Sequence, residues 1–104
     1  MNFKNKVVWI TGASSGLGEA MAKLFNELGA QLILSSRNVV ALEKVQQSFV
    51  NKEALSVILP LDLRAYHTFE ELAEKAINAF GKIDILINNG GISQRSFAVD
   101  TPIF

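Results

Sequence analysis

The stretch Thr11-Gly12-Ala13-Ser14-Ser15-Gly16-Leu17-Gly18 sets three glycines and two hydroxyl side chains directly ahead of a segment with helical spacing. A glycine-rich turn of this kind, between a strand and a helix, aims unpaired backbone N–H groups and the positive end of the helix dipole at one point. Such a point receives an anion, most often a phosphate. Glycines at 12, 16 and 18 suit that chemistry because a Cβ would keep a phosphate from the backbone or hold the helix off its strand. Ser14 and Ser15 can donate to a phosphate, and no base is placed to make either one a nucleophile. Glycine triplets also occur in ordinary turns, and it is the apolar run before and the helix after that favour the anion-binding reading.

Three further stretches carry candidate groups. Ser35-Ser36-Arg37-Asn38 follows the second apolar run and brings a guanidinium suited to bidentate phosphate binding. Its alternative reading is a solvated arginine at a helix start. Asp62 closes Leu59-Pro60-Leu61-Asp62, where on its own it is as readily a turn or capping residue. Asn88-Asn89-Gly90-Gly91 ends the fourth apolar run. Side-chain amides there can tie neighbouring strands together, and the glycines let a ligand pass close to the backbone. The alternative is a simple Asn-Gly turn.

The elements that must position these groups alternate. Val7–Ile10 reads as a parallel strand buried on both faces, followed by runs at Leu32–Leu34, Leu55–Leu59 and Ile83–Ile87, the last interrupted only by Asp84. Between them, Leu17, Ala20, Met21, Leu24, Phe25 and Leu28 mark one helix face, with Gly29 as its left-handed cap. Leu42, Val45 and Phe49 mark a second face, with Glu43, Lys44, Gln46 and Gln47 turned to water. Phe69, Leu72, Ala73, Ala76, Ile77 and Phe80 mark a third, opened by a Thr68–Glu71 capping box and closed by Gly81. The order βαβαβαβ predicts an α/β fold, a Rossmann-type doubly wound parallel sheet cut off after its fourth strand, as one domain over residues 1–104. Strand four then lies beside strand one, and the loops after Ile10 and Ile87 meet across the crevice at the strand ends. Ile85, Leu86 and Ile87 are expected to form an exposed apolar edge there.

The stretch Thr11–Gly18 resembles the T-G-x-x-x-G-x-G cofactor motif of the short-chain dehydrogenase/reductase family, and Asn88–Gly91 resembles its N-N-A-G, with Gly90 replacing alanine. The continuation Ile92-Ser93-Gln94-Arg95-Ser96 is similar to the subgroup around dehydrogenase/reductase member 7. The resemblance covers essentially the whole chain and implies a nicotinamide dinucleotide held by Gly12, Ser14, Ser15, Gly16, Leu17, Gly18, Asn89, Gly90 and Gly91. It implies adenine contact by Asp62 and Leu63. Where NAD-selective sites end the second strand with an acid for the ribose hydroxyls, this chain has Ser36 and Arg37, which favour a 2′-phosphate and hence NADP(H).

In the family a serine, a tyrosine and a lysine do the chemistry, the last two spaced Tyr-x-x-x-Lys. The single tyrosine here, Tyr66, is followed four residues later by Glu70, so the spacing is absent and no catalytic residue is assigned. His67 reads as a solvated loop histidine and Trp9 as core, and no cluster has metal-ligand spacing.

A formal net charge of zero gives no electrostatic case for nucleic acid or an anionic membrane. No apolar run is long enough to span a bilayer, and a chain with no cysteine is compatible with the cytoplasm. The expectation is therefore the cofactor-binding part of an NADP(H)-dependent oxidoreductase acting on a carbonyl or secondary alcohol. This chain alone is expected to bind NADP(H) at best and to turn over nothing, and the family resemblance implies a homo-oligomer for the full-length form. A non-catalytic dinucleotide-binding module, complete at this length, shares every motif. A Rossmann-like methyltransferase would want an acid where Arg37 stands, and a P-loop nucleotidase needs Gly-Lys-Ser/Thr, which is missing.

Overall fold

The computed structural model describes residues 2–62, 66 and 68–89. In chain order the elements are β1 (Val7–Thr11), α1 (Gly16–Glu27), β2 (Gln31–Ser35), α2 (Val39–Gln47), β3 (Ser56–Ile58), α3 (Phe69–Phe80) and β4 (Ile85–Asn88). All pairings are parallel and the strand order is β3-β2-β1-β4, with Val8 level with Leu32 on one side and Ile85 on the other. This is the doubly wound arrangement expected from the alternation, with β1 central and β4 beside it.

Alternation along β1 feeds two cores. Val8 and Ile10 join Leu32, Leu34, Ala22, Leu42, Val45 and Phe49 on the α1 and α2 side. Val7 and Trp9 join Ile33, Leu59, Leu72 and Ala76 on the α3 side, with Tyr66 packed against that cluster. Tyr66 is thus half-buried. Trp9 is fully buried: its Nε1–H donates to Ser35 Oγ at 2.8 Å, and its ring stacks on Phe69 with centroids 6.1 Å apart. The buried indole therefore has both its apolar area and its one donor satisfied.

Helix α1 departs from the face read in the sequence. Gly18, Ala22 and Asn26 are the residues buried against the sheet, while Met21 and Phe25 are half-buried on one flank. Leu17 and Leu24 stand 66% and 51% exposed. Small side chains one helical turn apart let the helix axis come close to the strands, and that approach fixes which way the helix is rotated. Asn26 is buried because its amide clamps the main chain of residue 51, with Nδ2 donating to Asn51 O and Oδ1 accepting from Asn51 N, both at 3.0 Å.

The other helices follow their patterns more closely. Leu42 and Val45 are buried on α2, with Phe49 just past its end, and Asn38 caps its start by accepting from Ala41 N at 3.0 Å. Gln46 does not face water as expected. Its amide reaches Ser56 O at 3.1 Å and Ser56 Oγ at 3.0 Å, bridging α2 to β3. Thr68 accepts from Glu71 N at 3.1 Å at the start of α3, and the left-handed φ values of +92° at Gly29 and +88° at Gly81 are the helix ends anticipated for glycine.

On β4, Ile85 and Ile87 pack half-buried against the Val8–Ile10 cluster, while Leu86 is 45% exposed. The expected apolar edge is therefore chiefly Leu86.

Asp84 explains the polar break in the fourth apolar run. Val7 N–H donates to Asp84 Oδ2 at 2.8 Å, and Asp84 N–H donates to Val7 O at 2.9 Å, so one residue completes both main-chain bonds at the foot of β1. The bond from the Val7 N–H and that from Lys82, at 3.0 Å, hold the Asp84 carboxyl below its ordinary value.

Two outcomes follow from this packing. Trp9→Ala should lower unfolding free energy by about 3–5 kcal/mol in urea titrations, since it empties the centre of one core and strips Ser35 of its donor. Because the carboxyl is lowered in the fold, its stabilising contribution is full above the unfolded carboxylate range and fades as pH falls through the folded value. The urea midpoint of Asp84→Asn should therefore lie below wild type at neutral pH and converge with it in acid.

Candidate functional site

The candidate groups gather at the C-terminal ends of the strands. Thr11 Oγ1 donates to Asn88 Oδ1 at 2.7 Å, which ties the ends of β1 and β4 together. One residue on, Asn89 Nδ2 donates to Gly12 O at 3.2 Å, so the loops after β1 and β4 meet as the topology requires. Ala13 is fully buried, and its N–H donates to Ser35 O at 3.2 Å, which fastens the same loop to β2. The glycine turn is thus held from both sides by main-chain and amide bonds.

The glycines divide the work. Gly12 and Gly16 have left-handed φ values of +65° and +58°. A Cβ on Gly16 would meet nothing within 4 Å, so the space in front of it is open. Gly18 is the opposite case. A Cβ there would lie 1.9 Å from Gly12 O and 2.8 Å from Asn89 Nδ2. Its bare α-carbon is what lets α1 begin directly beneath the loop, with the unpartnered N–H groups of its first turn facing the opening. Ser15 is the N-cap in extended conformation and makes no side-chain cap bond, and it is exposed together with Gly16 and Leu17. Ser14 is half-buried.

At the end of β2, the Ser36 hydroxyl accepts from Asn38 N at 3.0 Å and donates to Asn38 O at 3.3 Å, while Ser36 O accepts from Leu61 N at 3.0 Å. The nearly buried Ser36 therefore braces the turn that presents Arg37. Arg37 is exposed and makes no ion pair or hydrogen bond among the described residues, so its guanidinium remains available to an anion. Asp62 follows β3, half-buried and next to the residue that Ser36 fastens. Leu63, Gly90, Gly91 and His67 lie outside the described residues.

Two contributors carried no role in the motif reading: the Thr11 hydroxyl and the main chain at Ser35. Only the first left a trace in the sequence, as a polar residue ending an otherwise apolar strand, whereas the Asn88 amide ties strands as its position at the end of the fourth run suggested. Among the described residues no group of His, Cys, Asp or Glu converges as a metal site, and no helix is long and apolar enough to cross a membrane.

A parallel sheet in this strand order, with a glycine turn opening α1 beneath its C-terminal edge, defines a Rossmann-type fold. The profile of the short chain dehydrogenase family matches residues 6–102, and the chain belongs to that family. Dehydrogenase/reductase SDR family member 7 of Homo sapiens is 46% identical over 101 residues, which are 93% of this chain and 30% of the relative. An uncharacterized oxidoreductase of Staphylococcus saprophyticus is 47% identical over 96 residues, 92% of this chain and 38% of the relative. The chain thus spans about a third of the length of these curated relatives.

Among solved structures, a hydroxysteroid dehydrogenase from Escherichia coli superposes with a TM-score of 0.74 at 31% identity, covering 88% of this chain and 39% of its own. A metagenomic short-chain oxidoreductase in complex with NADP gives 0.72 at 30% identity, covering 86% and 41%. A short chain dehydrogenase/reductase from Burkholderia phymatum in complex with NAD gives 0.68 at 33% identity, covering 83% and 31%.

The two glycines should separate experimentally. Gly16→Ala pays only the left-handed strain of about 1–2 kcal/mol. Gly18→Ala must displace main chain and should lose about 3 kcal/mol or more. Urea titration of both variants checks this, and equal losses would remove the close approach at Gly18.

Proposed function

We propose that residues 1–104 are the NADP(H)-binding part of a short-chain dehydrogenase/reductase whose complete form moves hydride between nicotinamide and a carbonyl or secondary alcohol. The observation that carries this reading is the conjunction of the glycine turn, closed from beneath by Gly18 and from the side by Asn89, with an exposed Arg37 at the end of β2 that makes no pair among the described residues. The residues fit such a cofactor. The open space before Gly16 and the first-turn N–H groups of α1 suit a pyrophosphate, with Ser14 and Ser15 able to add hydroxyl donors.

Arg37 would hold the ribose 2′-phosphate, a charge-assisted contact worth about 1.5–3 kcal/mol, or about 10- to 150-fold in affinity. Ser36 sets the direction of that arginine through its two bonds to Asn38. Asp62 and Leu63 would meet the adenine, and Asn89, Gly90 and Gly91 would pass the cofactor toward the nicotinamide end. The bound nicotinamide supplies or accepts the hydride, and this chain's part is to hold and orient it.

That a solved relative of similar fold holds NADP, and another holds NAD, supports a nicotinamide dinucleotide as the ligand class. The arginine in place of an acid supports the phosphorylated form. Two further expectations belong to the same reading: a cytoplasmic location, from the cysteine-free composition, and a homo-oligomeric whole protein, from the family resemblance.

The test is differential binding by titration calorimetry. Arg37→Ala should weaken NADPH about tenfold or more and barely change NADH. Equal losses for both cofactors would take Arg37 away from the 2′-phosphate, and no binding of either by wild type would end the reading.

A further inference from the structure

Asn89 precedes Gly90, and this is the single Asn-Gly pair in the chain. The side-chain Cγ of an asparagine is within reach of the next residue's main-chain nitrogen. A glycine there has no Cβ to hinder that nitrogen's approach, and asparagine is among the chemically labile side chains. Asn89 is also exposed.

We propose that Asn89 is a site of spontaneous deamidation, and that its conversion releases the glycine turn. The Gly90 nitrogen attacks Asn89 Cγ, forming a C–N bond as the bond to the side-chain nitrogen breaks. Ammonia departs, carrying the proton from the Gly90 nitrogen. Water then opens the cyclic imide at one carbonyl or the other, leaving aspartate or isoaspartate. Water is the one co-reactant, and no electrons are exchanged.

The position gives the change its effect. Asn89 Nδ2 is the donor to Gly12 O at 3.2 Å and lies 2.8 Å from the point a Cβ on Gly18 would occupy. A carboxylate here faces the Gly12 carbonyl with an acceptor in place of a donor, so attraction becomes repulsion at the contact that closes the turn. Isoaspartate in addition lengthens the main chain by one methylene. Either product sets a negative charge beside an opening shaped for an anion. The predicted loss of NADPH rests on the function proposed above, whereas the deamidation and the loosening of the turn do not.

The experiment incubates the full chain at mildly alkaline pH and follows each asparagine by peptide mass. Asn89 should convert ahead of every other asparagine, and Gly90→Ala should slow it severalfold. Conversion no faster than elsewhere, or indifferent to Gly90→Ala, overturns the site. Asn89→Asp, made directly, should lower the urea midpoint and weaken NADPH about tenfold or more, and a midpoint equal to wild type overturns the effect on the turn. If wild type does not bind NADPH, the cofactor reading fails while the mass and urea results still decide this proposal.

Discussion

The close approach of Gly18 to the Gly12 carbonyl is the constraint on which the rest of the molecule depends. It draws the start of α1 under the end of β1, and a helix pinned there can rotate no further. Ala22 and Asn26 then fall against the sheet, and Leu17 and Leu24 are left facing out. A hydrophobic face would ordinarily choose helix rotation by burying its largest side chains. Here steric exclusion at one α-carbon outweighs that tendency, because a main-chain overlap cannot be relieved by a rotamer change.

The two ends of β1 are secured by different means. At the foot, the Asp84 carboxylate substitutes for a strand carbonyl and completes the pairing with β4. At the top, side chains do what a ladder cannot: Thr11 reaches Asn88, Asn89 reaches Gly12, and Ser35 gathers Trp9 through its hydroxyl and Ala13 through its carbonyl. Neutral hydrogen bonds at the top keep the loops in place without adding charge at the opening before Gly16. The ion pair of Lys82 with Asp84 is kept at the far end.

Much of this was legible in the residues. Strand order followed from alternation, because parallel strands joined by helices leave few arrangements. Helix ends at Gly29 and Gly81 followed from the conformational freedom of glycine, and the tight turn between β1 and α1 followed from three glycines between a strand and a helix. The rotation of α1 was not legible. Counting apolar residues at helical spacing selects the widest apolar stripe, whereas the fold selects the narrow row of small ones. Asn26 and Gln46 were read past for a related reason. A polar side chain carries no mark in its own sequence neighbourhood of a main-chain partner many residues away. The same limit hid Asp84, visible only as an interruption until Val7 was seen beside it.

The clamp between Asn26 and residue 51 has a consequence for how the molecule comes apart. A carboxamide that takes both the N–H and the C=O of one distant residue acts as a one-residue strand, stitched from the last turn of α1 to the approach of β3. Fraying of α1 from its C-terminal end withdraws both partners at once, so the connection after α2 cannot stay ordered alone. The first two βα units are thereby joined into one cooperative unit. Amide hydrogens on the two sides of that stitch belong to a single opening event rather than two.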